Sequence, residues 1–267
     1  MTQRWSPHHL RLHQWLLRRP SLLPPGERLL LAVSGGQDSM ALVGLLQDLQ
    51  RLHHWQLELW HGDHGWRPES SRQAAELQQW AQQQGLPLQL ERWQTPQPAE
   101  AAARTWRYSC LQAAARQRGI RTMLTGHTGS DRAETLLLQL ARGSHQRGLA
   151  SLRSQRPLAD GIQLVRPLLL FSRSETAAIQ QALQLPLWPD PSNNDRRYSR
   201  NRLRQEVLPV LEALHPGATR RISELSERLA EEEAGLDQLV ALALQPLLQP
   251  DPAGGMALNR QALVQQK

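Results

Sequence analysis

Cysteine is nearly absent: 267 residues hold one, Cys110. A lone thiol excludes a disulfide framework, a multi-cysteine zinc site and dithiol redox chemistry. It reads as a small buried residue. Lysine is as scarce. Lys267 is the only one, so the other basic residues are all arginine. No apolar run approaches the ~20 residues of a membrane-spanning helix. The first twenty residues carry charge but no apolar segment of the secretory type. A cytoplasmic globular protein with no membrane partner is the expectation.

Against these absences stands an arginine-rich charge, +7 in net, with 31 basic and 24 acidic residues. Arginine forks suit phosphates and planar bases, so the charge points toward a nucleic-acid partner. Composition bias explains it equally well, because Gln and Leu are abundant too.

Hydrophobic periodicity and turn residues predict helices over 10–17, 40–52, 70–84, 99–118 and 131–142. Strands are predicted over 28–33, 56–60, 86–93, 120–125 and 162–165. Strand and helix alternate with short connections. That order implies an α/β fold, a doubly wound, mostly parallel sheet with helices on both faces. Such sheets take ligands at the carboxyl ends of their strands. Two units are expected: 1–215 as the α/β domain and 216–267 as a helical segment with leucines on one face and charge on the other. The closing ALNRQALVQQK reads as the start of a further helix in a longer natural protein.

Polar clusters fall where that topology expects ligands. LAVSGGQDSM ends the first strand. Gly35 and Gly36 let backbone N–H groups turn toward an anion, with Ser34, Gln37 and Ser39 beside them. No lysine is present, which excludes the kinase-type phosphate loop. Asp38 would instead favour a hydrated Mg²⁺ shared with phosphates. A Gly-Gly turn with a helix cap is the plainer reading. HGDHGWRPES, after the second strand, gathers Asp63, His64, Arg67 and Ser70. In AAARTWRYSCL, Arg104, Arg107 and Tyr108 share one helix face, as a solvated arginine stripe also would. LTGHTGSDRAET spaces His127, Asp131 and Glu134 by four and three. If the helix begins near His127, all three point into the cleft, and the two acids suit a cation. Acids at a helix start also arise simply from the dipole. WPDPSNNDRRYSRNRLRQ places Asp190, Ser192 and Asn193 in a turn and Arg200, Asn201, Arg202 and Arg204 at a helix start.

SGGxDS after a strand resembles the N-type ATP pyrophosphatases, in which such a loop binds the pyrophosphate of ATP. The other motifs resemble one branch of them. DHGWRPES is similar to a DHxLRxxS element, with Trp66 where leucine is usual. ARTWRY is similar to ARxxRY, GHTGSDRAET to GHTxxDxxET, and DPSNNDRRYSRNRLR to DPSNxDxxYxRNxxR. Together they identify the chain as a member of the tRNA(Ile)-lysidine synthetase family over roughly 31–209. Thiolating relatives need cysteine pairs, which one cysteine cannot supply.

The resemblance implies ligation of free L-lysine to C2 of the wobble cytidine in the CAU-anticodon isoleucine tRNA, with ATP converted to AMP and pyrophosphate and Mg²⁺ as cofactor. Ser34, Gly35, Gly36, Gln37, Ser39, Asp63 and His64 would hold ATP. Asp38 would take Mg²⁺ or the activated base, and His127 and Arg104 would meet the α-phosphate. Asp131 and Glu134 would hold and deprotonate the lysine amine. Arg67, Arg107, Arg200, Asn201 and Arg204 would face the tRNA. The family also implies a homodimer. A small-molecule amidating enzyme of the NAD-synthetase kind and a non-catalytic tRNA-binding homologue stay open as alternatives.

Overall fold

The computed structural model describes residues 5–66, 68–97, 99–188, 195–250 and 255–258. Helix α1 (Pro7–Leu17) precedes strand β1 (Arg28–Ala32). Then α2 (Gln37–His53), β2 (Gln56–Asp63), α3 (Pro68–Gln83), β3 (Leu88–Arg92), α4 (Glu100–Gln117) and β4 (Thr122–Thr125) alternate. Helix α5 (Gly129–Ala141), the short α6 (Gln146–Leu149), β5 (Gln155–Pro157), β6 (Gln163–Val165) and α7 (Arg173–Ala182) follow. The chain continues through α8 (Ser199–Arg202), a wide π-helical turn (Leu203–Val207), α9 (Leu208–Leu214) and the long α10 (Ala218–Leu244). A small hairpin, β7 (Leu248–Pro250) with β8 (Met256–Leu258), comes last.

The main sheet runs β3-β2-β1-β4-β6-β5. All its pairings are parallel except β5 with β6. The doubly wound, mostly parallel expectation therefore stands. Strand β1 shows why the sheet must be covered twice. Leu29 and Leu31 enter one core with Leu42, Leu45, Leu46 and Leu49 of α2. Leu30 faces the opposite core with Trp60, Leu111 and Met123. Each of these leucines is fully buried, which contributes about 1.5–3 kcal/mol per side chain.

After β1 the chain winds outward to β3 and then returns to place β4 on the other flank of β1. That reversal is the switch point where such sheets open a crevice. The loops after β1 and β4 both end there. Their backbones touch: a Cβ on Gly126 would lie 3.0 Å from backbone atoms of Asp38 and Ser39.

Four expectations are corrected. Strand β2 runs on to Asp63, so His61 and Asp63 are strand residues, not loop residues. Strand β4 starts at Thr122, because the Ile120 N–H is committed to closing α4 on Ala115. Helix α5 starts at Gly129 behind a Thr128 cap, so His127 precedes the helix. Ala257 and Leu258 lie in β8, paired with β7, so the last described residues are strand rather than helix. Helix α10 packs on α5 and α6. No described helix is long and apolar enough to cross a membrane.

Candidate active site

A cleft of about 840 Å³ lies over the carboxyl ends of β1, β2 and β4. Its floor is the loop between β1 and α2. Gly35 there has φ of +79°, a left-handed conformation that favours glycine. A Cβ on it would also press the Trp188 ring at 3.2 Å. Trp188 is tied down twice. Its backbone N–H donates to the Gly35 carbonyl at 3.0 Å, and its indole N–H donates to Glu76 at 2.7 Å. The Ser34 and Ser39 hydroxyls lie 3.1 Å apart, with the Ser34 N–H also donating to Ser39 Oγ. The seventeen-residue α2 begins at Gln37, so its unpaired N–H groups and dipole face the same space. These are the elements of an anion cradle.

Asp38 sits in that cradle with partners from α7. Thr176 donates its hydroxyl to Asp38 Oδ1, and Arg173 lies 3.3 Å from Oδ2. Burial raises the Asp38 pKa, while the Thr176 bond and the Arg173 charge oppose it.

The second wall combines β2 and α4. Burial would raise the Asp63 pKa, but bonds from Ser70, the Gly65 N–H and Ser71 outweigh it and hold the carboxyl below its ordinary value. Asp63 thus organises its own loop, with Gly65 N–H at 2.8 Å and Ser71 Oγ at 3.1 Å. His64 stacks on Trp66 and lies 3.1 Å from an Arg107 nitrogen. Arg104 rests over the Tyr108 ring at 5.0 Å. Arg104, Arg107 and Tyr108 all line the cleft, as one helix face should.

The third wall is β4, α5 and α8. His127 lies 2.9 Å from the Thr125 hydroxyl. Burial pushes its pKa down to about 3, aided by the charges of Arg166, Arg104 and Arg200 and opposed by Asp131. Asp131 closes a capping box on Thr128, accepting from its N–H at 2.7 Å, and still lines the cleft. Glu134 does not line the cleft; it is fully buried. Both of its oxygens accept from Arg204, at 2.7 and 2.9 Å. Burial raises its pKa against that bond. The expectation that Glu134 points into the cleft is therefore corrected: the helix starts later, and Arg204 claims the carboxylate. Arg200 donates to Thr135 at 3.0 Å, and Asn201 donates to the Asp195 carbonyl at 2.9 Å.

The cleft thus brings together Ser34 to Ser39, Asp63, His64, Arg104, Arg107, His127, Asp131, Arg200, Asn201 and Arg204. Arg67, Asp190, Ser192 and Asn193 lie outside the described residues. Four lining or supporting residues were missed from sequence: Arg142, Arg173, Thr176 and Trp188. Ser172 and Glu175 form a capping box, a legible sign that a helix starts after β6 at the ligand edge. Trp188 carries no such sign, because its role is a long-range contact.

Comparison with known proteins agrees with this geometry. A PP-loop domain profile matches residues 11–211. A tRNA(Ile)-lysidine synthase of Parasynechococcus marenigrum is 57% identical, over 91% of this chain and 73% of that one. One from a Synechococcus strain is 53% identical, over 91% and 75%. One from Prochlorococcus marinus is 47% identical, over 91% and 75%. Among solved structures, the U34-tRNA thiolase NcsA from Methanococcus maripaludis, with its [4Fe-4S] cluster, superposes with a TM-score of 0.70. It is 17% identical, over 84% of this chain and 77% of that one, and supports the fold alone. With a phosphate cradle, an arginine wall and these relatives agreeing, the chain belongs to the tRNA(Ile)-lysidine synthase family of PP-loop proteins.

Proposed function

We propose that this cleft ligates free L-lysine to the wobble cytidine of a CAU-anticodon isoleucine tRNA. The observation that carries the reading is the convergence of the phosphate cradle, His127 and the Arg104–Arg107 face on one cleft at the switch point. ATP lies with its phosphates against Ser34 to Ser39. The cytosine O2 attacks the α-phosphorus and pyrophosphate departs. Oxygen on the ring then leaves as part of AMP when the lysine amine attacks C2.

His127 is neutral at physiological pH, given its depressed pKa. His127 Nδ1 lies 2.9 Å from the Thr125 hydroxyl; in the tautomer that accepts from Thr125, Nε2–H would be the donor for the α-phosphate. Arg104 supplies positive charge from the facing wall. Lysine enters as an ammonium ion of ordinary pKa about 10.4 and must lose a proton before it attacks. Asp131, which lines the cleft, would hold that cation and take the proton. Glu134 acts behind it by holding Arg204. Arg107, Arg200 and Asn201 face the RNA, where a base splayed from a single-stranded loop would enter.

Magnesium fits as an ion carried on the nucleotide. No group of three or more ligating side chains occurs among the described residues, and Asp38 is a single carboxylate in the cradle. That donor set matches Mg²⁺, which binds one or two carboxylates and fills its shell with phosphates and water. When bound, it would neutralise phosphate charge. A cytoplasmic setting and a homodimer complete the reading. The exposed Leu236, Leu239 and Leu242 of α10 offer apolar surface for such a pair, which light scattering would detect.

The deciding experiment incubates the protein with ATP, Mg²⁺, labelled lysine and unmodified isoleucine tRNA, then analyses nucleosides. A lysine-modified cytidine is expected. ATP consumption without tRNA would favour the small-molecule amidating enzyme. Binding of tRNA with cytidine unchanged would favour the non-catalytic homologue.

A further inference from the structure

A phosphate cradle without lysine still has to receive a highly charged leaving group. Of the buried arginines near the cleft, Arg132 is 2% exposed and Arg166 is 3%, and both serve carbonyls or carboxylates of the scaffold. Arg173 differs. Its side chain is 34% exposed, lines the cleft, and reaches to 3.3 Å from Asp38 in the cradle.

Its backbone is held from two other elements. The Arg173 N–H donates to Ser130 Oγ at 3.0 Å, on α5. Its carbonyl accepts from Gln37 Nε2 at 2.7 Å. The second amide proton of Gln37 goes to Thr176 Oγ1 at 2.9 Å, and Thr176 in turn donates to Asp38. The amide nitrogen of a cradle residue, which also lies 3.3 Å from Asp38 Oδ1, thus helps to fix the start of α7. This pins the base of Arg173, while its partly exposed guanidinium is held at the cradle by Asp38 alone among the contacts described.

We propose that Arg173 is a catalytic residue of the adenylation step, the cation that receives the departing pyrophosphate. The proposal rests on the function given above and names a residue for it. In the free protein Arg173 is parked on Asp38. Triphosphate oxygens compete for the guanidinium, whose fork matches two phosphate oxygens at once. Asp38 is then released toward the nucleotide-borne cation. As the cytosine O2 forms its bond to the α-phosphorus, the bond from that phosphorus to the bridging oxygen breaks. The electron pair stays on the bridging oxygen, so one negative charge develops on pyrophosphate. Arg173 lies on the side where that charge appears.

The test measures inorganic pyrophosphate binding to the full chain by calorimetry, with Mg²⁺, beside single-turnover lysidine formation. Arg173→Gln is expected to weaken pyrophosphate binding about tenfold or more and slow adenylation about 10²-fold, with AMP binding and thermal midpoint unchanged. Arg173→Lys keeps the charge and loses the fork, and should fall between; it carries the measurement if the Gln variant misfolds. Unchanged pyrophosphate binding in either variant would overturn the proposal. If the parent protein makes no lysidine, the assigned function fails, while pyrophosphate binding still decides Arg173.

Discussion

Arg204 grips Glu134 through two parallel bonds, Nε to Oε1 at 2.7 Å and Nη2 to Oε2 at 2.9 Å. The pair locks the π-helical turn after α8 onto α5, and Glu134 has no solvent exposure. Removing one partner strands the other in a dry site. Arg204→Met should cost about 3–5 kcal/mol in chemical denaturation, and adding Glu134→Leu should recover most of it. A loss below about 1 kcal/mol would equate the pair with an ordinary surface bridge.

Lysine use should separate the two acids of α5. Asp131 lines the cleft, so Asp131→Asn should raise the KM for lysine about tenfold or more, as loss of a charged contact does. Glu134→Gln should lower stability first, with any effect on lysine following Arg204. Steady-state kinetics at varied lysine checks this. An unchanged lysine KM in Asp131→Asn would remove Asp131 from that role.

The pH dependence of stability should carry a His127 signature. Its folded-state pKa lies near 3, below the ordinary 6.5. Between those values the unfolded chain takes up a proton that the folded chain refuses. Stability from this group is therefore complete above pH 6.5 and falls as pH drops toward 3. His127→Asn should flatten that decline. NMR of the folded protein should show no His127 titration between about pH 5 and 8. A midpoint near the ordinary value would contradict a ring held neutral in the cleft wall.

Much of this is legible in the sequence. The strand–helix alternation gave the sheet, and the motifs gave most of the cleft floor. What escaped was tertiary. Helix α5 was expected to start near His127 or Asp131, because spacing alone does not reveal that Thr128 caps at Gly129. Glu134 is held out of the cleft by its bonds to Arg204, seventy residues away. Arg173 and Trp188 touch the cradle from more than 130 residues downstream. No local pattern encodes such contacts.

Gly35 offers a test of the cradle. Gly35→Ala forces a side-chain residue into φ of +79° and against Trp188. Strain of about 1–3 kcal/mol, if borne by the nucleotide-ready loop, weakens ATP binding about 5- to 150-fold. Adding Trp188→Ala should relieve the contact but not the dihedral, and so recover only part. Fluorescent nucleotide titration measures both. Parental affinity in Gly35→Ala would show that the loop's path does not matter.

Arg142, exposed at the end of α5 and lining the cleft, should act as a phosphate contact. Arg142→Ala should weaken tRNA binding and reduce the slope of log affinity against log salt by about 0.7–0.9. Filter binding across salt concentrations reads the slope. An unchanged slope would place the RNA elsewhere.

Arg132 of α5, 2% exposed, finds its carboxylate on α10, where Glu227 lies 3.1 Å away. The long helix is therefore the keystone of its neighbour rather than an attachment to it. A gene shortened to the end of α9 would remove the counter-charge of this guanidinium and uncover the face of α5 that it stabilises. Insertions or fusions that respect this dependence must leave the seam between α5 and α10 closed.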